Sequence, residues 1–119
     1  MRFIQEWGGT IKRGKNVAFQ KWLQANEQKL AKAHPKGSVY LGTFATIFSS
    51  EKHAGSVRTF VQLDSYGAMD KAAAAANDSS NEYGKLIQEM TAFFDQANGA
   101  DWSTGLHKAV VDATVWDSK

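Results

Sequence analysis

The sequence predicts an α+β domain: a four-stranded antiparallel sheet with two long amphipathic helices on one face. Three observations carry this. Four short runs alternate with period two, which suits strands with one covered face. Two longer runs repeat their apolar residues with the 3.6-residue period of a helix. The runs follow one another as strand, helix, strand, strand, helix, strand.

Residues 2 to 12 read as the first strand, with Gly8-Gly9 near its end marking a bulge or a close backbone approach. Arg13-Gly14-Lys15 is a turn and Asn16 a candidate N-cap. From Val17 to about Ala33, Phe19, Trp22, Leu23, Leu30 and Ala33 fall on one helix face, and Lys and Gln residues fill the other. His34-Pro35-Lys36-Gly37 stops this helix, because the residue before a proline avoids the helical region. Val39 to Phe48 is the second strand and Val57 to Asp64 the third, joined by the polar loop SSEKHAG. Ser65 to Ala76 holds an alanine run and reads as a short helix. Glu82 to about Ala97 is the second long helix, with Tyr83, Leu86, Ile87, Met90, Phe93 and Phe94 on a broad apolar face. His107 to Trp116 is the last strand. The order βαββαβ is the ferredoxin-like, split-βαβ pattern.

Composition excludes several classes of function. The chain of 119 residues matches one domain, 1–119. Its formal net charge of +2 offers no broad basic stripe for nucleic acid: Lys12, Arg13 and Lys15 are the one tight basic group. There is no cysteine, so disulfides, thiolate catalysis and cysteine-ligated zinc are ruled out. With no apolar leader and no long apolar run, no membrane partner and a cytoplasmic location are expected. His34, His53 and His107 lack metal-ligand spacing, the acidic residues are scattered, and neither a nucleophile elbow nor a phosphate loop is present. No metal and no cofactor are expected.

The alternation of the strands assigns faces. Val39, Leu41, Thr43, Ala45, Val57, Thr59, Val61, Leu63, Ala109, Val111, Ala113 and Val115 form a small aliphatic face that suits the helices. Tyr40, Phe44, Phe48, Phe60 and Trp116 form a second face, with Trp7 and Gln5 assigned to it from the first strand. So large an apolar patch needs a cover, and a second copy of the same sheet is the simplest one. The expectation is a homodimer joined through Trp7, Tyr40, Phe44, Phe48, Phe60 and Trp116. Arg58 and Asp112 on this face are a candidate ion pair, within the chain or across the seam.

This places Ile4 and Glu6 under the helices. A carboxylate there must be paired or near water. It could serve as a general base toward a phenolic or enolic substrate, or simply pair with a cation such as Arg13 at the strand end. Trp22, Tyr83, Met90 and Phe93, with His107 beside the last strand, are the candidate lining of an aromatic-ligand pocket; at helical spacing the same side chains also serve as core.

The βαββαβ order, the opening Glu6-Trp7…Gly14-Lys15…Phe19…Trp22-Leu23, and the segment Ser65-Tyr66…Met69-Asp70 together resemble the dimeric α/β-barrel superfamily, nearest in feel to its antibiotic-biosynthesis-monooxygenase-like branch and stress-response relatives. The resemblance implies a homodimer whose two sheets form a barrel, with a pocket between helices and sheet in each subunit. It also implies a small aromatic ligand or a cofactor-independent monooxygenase-like activity. The haem-degrading branch uses an Asn on the first strand and a His on the helix after the third. Here Gln5 or Glu6 stands on the strand and Tyr66 to Ala76 holds no His, so that activity does not carry over. Two further classes stay open. One is a non-catalytic dimeric interaction or stress protein. The other is an RNA-binding module, which Phe60-Val61-Gln62-Leu63 faintly echoes although Arg58-Thr59 replaces the first aromatic of that motif.

Overall fold

A computed structural model of the chain describes residues 2–52, 54–97 and 101–111. The elements follow in the order β1 (Phe3–Ile11), α1 (Asn16–Ala33), β2 (Ser38–Ala45), β3 (Val57–Leu63), α2 (Gly67–Ala76), α3 (Glu82–Thr91), β4 (Phe94–Asp95) and β5 (Ser103–Lys108). This is the ferredoxin-like α+β fold expected from the sequence. All strand pairs are antiparallel. β3 lies between β2 and β1, and β5 runs along the other edge of β1. The two-residue β4 pairs with Thr10 and Ile11 at the end of β1.

Several boundaries differ from the sequence reading: β2 ends at Ala45 rather than Phe48, and α2 starts at Gly67 rather than Ser65. α1 has Lys15 at its N-cap, and no side chain caps it. α3 stops at Thr91, so Phe94 leaves the helix and joins β1 as part of β4. The last strand is Ser103–Lys108, because Phe3 to Gly8 of β1 find their partners there. Val110 and Val111 lie beyond it and are exposed. Trp116 and Asp112 fall outside the described residues.

The faces of the sheet also differ. Trp7 packs on the helix-side core formed by Ile11, Phe19, Leu30, Val57, Tyr83, Leu86, Ile87, Met90 and Phe94. Phe3, Val61 and Leu63 make a second cluster with Ala68 of α2. Phe3, Gln5 and Trp7 therefore face the helices, and Ile4 and Glu6 face away. The physical reason is volume: two large aromatic rings fill the space under the helices better than an isoleucine and a carboxylate, whose charge stays nearer water.

In β2 a bulge between Tyr40 and Gly42 reverses the alternation. Gly42 has φ of 143°, a conformation that side chains resist, and a Cβ there would press on the Phe44 ring at 2.9 Å. As a result Tyr40 points to the helices and Phe44 to the open face. The Tyr40 hydroxyl donates to Glu27 Oε2 of α1 at 2.6 Å and lies 2.7 Å from Thr43 Oγ1, which lies 2.9 Å from Thr59 Oγ1. Burial, then the Glu27 carboxylate, hold the Tyr40 phenol above its ordinary pKa, so this chain of hydrogen bonds is uncharged at Tyr40.

α2 and α3 meet at a tight corner held by Asn81. Its side-chain oxygen accepts from Gly84 N at 2.7 Å, capping α3, and its amide donates to the carbonyls of Asp78 at 2.9 Å and Ala75 at 3.2 Å.

Candidate functional site

Between α2, α3 and the β1–β5 half of the sheet lies a cavity of about 380 Å³. It exists because the inner face of α2 is made of alanines. Ala72 and Ala76, four residues apart, point inward and stop short of the sheet. From α3, Tyr83, Ile87 and Thr91 line the opposite wall. The sheet contributes Gln5 and Trp7 from β1 and Thr104 from β5, and Trp102 closes one end.

The aromatic wall is a braced unit. Trp7, Phe94 and Trp102 form a triangle with ring centroids 6.0, 5.5 and 6.1 Å apart. Edge-to-face and tilted pairs of this kind hold one another's orientation. The polar groups of the lining are neutral. Gln5 donates to Thr104 Oγ1 at 3.3 Å, and Asn77, Gln88 and Gln96 supply further amides. No described lining residue is acidic, cationic or a histidine. The one ionisable group is the Tyr83 phenol, whose pKa burial pushes up to about 12. It is a neutral hydroxyl at physiological pH. Behind it stands His34, with ring centroids 4.6 Å apart. His34 Nδ1 donates to the Leu30 carbonyl at 3.0 Å, and burial holds the imidazole below its ordinary pKa. The neutral imidazole is therefore the form that supports Tyr83.

The residues singled out in the sequence are dispersed by the fold. Tyr83 lines the cavity, whereas Met90 is fully buried in the core. Trp22 and Phe93 line a separate cleft on the outer side of the helices. His107 stands exposed on β5, opposite Ile4 and so on the face turned away from the helices. Glu6 is not under the helices. It lies on the open face, 3.8 Å from Arg58 Nη2, and its cation is Arg58 rather than Arg13. Of the residues assigned to the open face, Phe44, Phe48 and Phe60 lie there around Glu6 and Arg58, while Trp7 and Tyr40 are on the helix side.

Arg58 is 4% exposed. Its register partner on β1 is Gly8, and it donates from Nη1 to the Asp101 carbonyl at 3.2 Å and from Nη2 to the Ser103 carbonyl at 3.1 Å. The sequence reading assigned Gln5 to the dimer-seam face, whereas it lines the cavity, and it passed over Trp102, Thr104 and the alanine face. The signal for the last was the run Ala72–Ala76, which was read for its helix propensity and not for the space its small side chains leave.

Among the described residues no group of His, Asp and Glu is placed to hold a metal ion, and no helix is long and apolar enough to cross a membrane.

No protein-family model and no curated protein matches the chain in sequence. Solved structures match it in fold. A NIPSNAP domain protein from Burkholderia xenovorans is 12% identical with a TM-score of 0.62, over 96% of this chain and 99% of its own. A NIPSNAP family protein from Agrobacterium tumefaciens is 11% identical with a TM-score of 0.59, over 89% and 82%. An antibiotic biosynthesis monooxygenase-like protein from Nitrosomonas europaea is 9% identical with a TM-score of 0.56, over 93% and 100%. These likenesses show the fold: the neighbours share the ferredoxin-like α+β arrangement expected from the sequence.

Proposed function

We propose that the chain binds a small, uncharged aromatic molecule in the cavity between its sheet and α2–α3. The observation that carries this reading is the lining: a rigid aromatic wall, neutral amides and hydroxyls, and no charged group. A cavity of about 380 Å³ lies in the range of small-ligand sites, which are mostly apolar with a few oriented polar groups. A charged ligand would lose its hydration here without gaining an ion pair. Cofactor-independent oxygenation begins with removal of a substrate proton, which needs a base within hydrogen-bond reach. The described lining offers only the neutral Tyr83 phenol, and Glu6 is on the opposite face of the sheet. The geometry therefore favours binding over monooxygenase-like catalysis.

The test is Ala76→Leu, which puts a larger side chain into the cavity from α2. Titrating 1-naphthol against the fluorescence of the tryptophans should give saturable binding to the native chain. The variant should bind at least about tenfold more weakly, since each lost ring contact area is worth a kcal/mol or more. Equal affinity in both proteins would sink the proposal.

We also infer that the working unit is a homodimer joined through the open sheet face. Phe44 and Phe48 are 56% and 86% exposed, beside Phe60, with whose ring Phe44 makes an edge-to-face contact at 5.7 Å. Phe44 and Phe60 on the open sheet face, with Phe48 in the loop just past β2, form the kind of apolar patch that a second sheet covers. Phe44→Lys should convert a dimer to a monomer in sedimentation velocity at micromolar concentration, because a central aromatic anchor contributes about 2 kcal/mol or more. A native chain that sediments as a monomer at that concentration would refute the inference.

A further inference from the structure

Lys12, Arg13 and Lys15 form the tightest basic group in the sequence, and nothing in the cavity uses it. Lys12 and Lys15 border a second cavity, about 470 Å³, between α1 and the end of α3. Its walls come from two helical stripes. Lys15, Ala18 and Trp22 follow at spacings of three and four from the N-cap along α1, and Glu89 of α3 lines the other side with Ala92 and Phe93 just past that helix's end. The alanines leave the floor open. The Trp22 and Phe93 rings, with centroids 6.3 Å apart and tilted by 52°, bound the cleft.

The cleft has a cationic end and an aromatic body that also holds the Glu89 carboxylate. Lys12 N donates to the Phe93 carbonyl at 2.8 Å, and Lys15 N to the Lys12 carbonyl at 2.9 Å, so both lysines start from fixed backbone at one end. Neither ammonium has a carboxylate partner among the described residues, and the first turn of α1 holds no acid. The one acid of the lining, Glu89, lies a helical turn away from Phe93. Its carboxylate accepts from Trp22 Nε1 at 2.8 Å, which occupies one oxygen and fixes the indole plane. An anion at the lysine end therefore meets two unneutralised cations, and a flat apolar group attached to it meets two ring walls.

We propose that this cleft is a binding site for a small aromatic carboxylate, its ring against Trp22 and Phe93 and its carboxylate at Lys12 and Lys15. It is independent of the cavity under α2, which excludes charge where this cleft requires it. A cleft of about 470 Å³ with one cationic end suits a small molecule rather than a phosphate backbone running along the surface.

The experiment is a titration of the full chain with naphthalene-1-carboxylate, followed in ¹H–¹⁵N correlation spectra. The Trp22 indole signal and the amides of residues 12–18 should move together and saturate. Binding should fall at least about tenfold in the Lys12→Gln/Lys15→Gln protein and for naphthalene-1-carboxamide, as loss of a charge-assisted contact predicts. Both lysines are exposed, so the double variant keeps its fold. Movement confined to the Trp7 and Trp102 indoles would place the compound in the other cavity and overturn the proposal. Equal binding of acid and amide would overturn it too, as would stronger shifts at the same residues from a thymidine oligonucleotide.

Discussion

Phe94→Ala should destabilise the chain by about 3–5 kcal/mol, the range for emptying a buried phenylalanine site. Phe94 is 1% exposed. Its ring meets Phe19 of α1 at 5.7 Å, Trp7 of β1 at 6.0 Å and Trp102 at 5.5 Å, so it joins helix, sheet and cavity wall. The void cannot collapse easily, because the strand pairing of Phe94 with Ile11 fixes its backbone. Small domains are stable by about 5–15 kcal/mol, so the loss removes a large share of the total. Urea unfolding measures it directly, and a loss under about 1 kcal/mol would show that Phe94 is not the hub described here. At the cavity, Trp102 would lose its support and 1-naphthol affinity should fall in the same variant.

The second expectation sets two effects of opposite sign against each other. Gly84 lies inside α3, where helix propensity alone predicts that alanine stabilises by about 1 kcal/mol. The corner geometry predicts the reverse. A Cβ on Gly84 would run into the Asp78 carbonyl oxygen and lie 2.7 Å from the Ala75 carbonyl oxygen. Both obstacles are backbone, so neither can rotate away, and the same two carbonyls are held by the Asn81 amide. Forced overpacking costs about 1–3 kcal/mol, and the lost cap adds about 1 kcal/mol, which outweighs the propensity gain. Gly84→Ala should therefore be destabilised and should bind 1-naphthol differently, because α2 must move away from α3 and the cavity lies between them. A stabilised variant with unchanged binding would mean that the corner relaxes freely.

Much of the fold was legible. The 3.6-residue stripe of Phe19, Trp22, Leu23 and Leu30, and the alternation in β3, are strong local signals, and their order left few topologies. What failed was parity. Tyr40 and Phe44 are four residues apart, and strict alternation puts them on one face. One extra residue at the bulge separates them, and only Gly42 hinted at it. In β1 both faces carry large or polar residues, so alternation alone could not choose, whereas the opposite charges of Glu6 and Arg58 on neighbouring strands held the answer. Phe94 was placed in the helix because it continues an apolar stripe. Its strand pairing is a tertiary contact with Ile11, which no local pattern announces. The candidate site was least legible, since its defining property is space. Ala72 and Ala76 make the cavity by what they lack, and Trp102 reaches it from a loop without periodicity.

The Arg58 side chain has a mechanical consequence. Its guanidinium grips the carbonyls on either side of Trp102 while its charge faces Glu6 among the rings of the open face. Trp102 closes the cavity on the other side of the sheet. The face where a second copy would dock and the loop that carries Trp102 to the cavity thus share one guanidinium. Loss of that guanidinium would leave both the Glu6 carboxylate and the Trp102 loop without their shared partner.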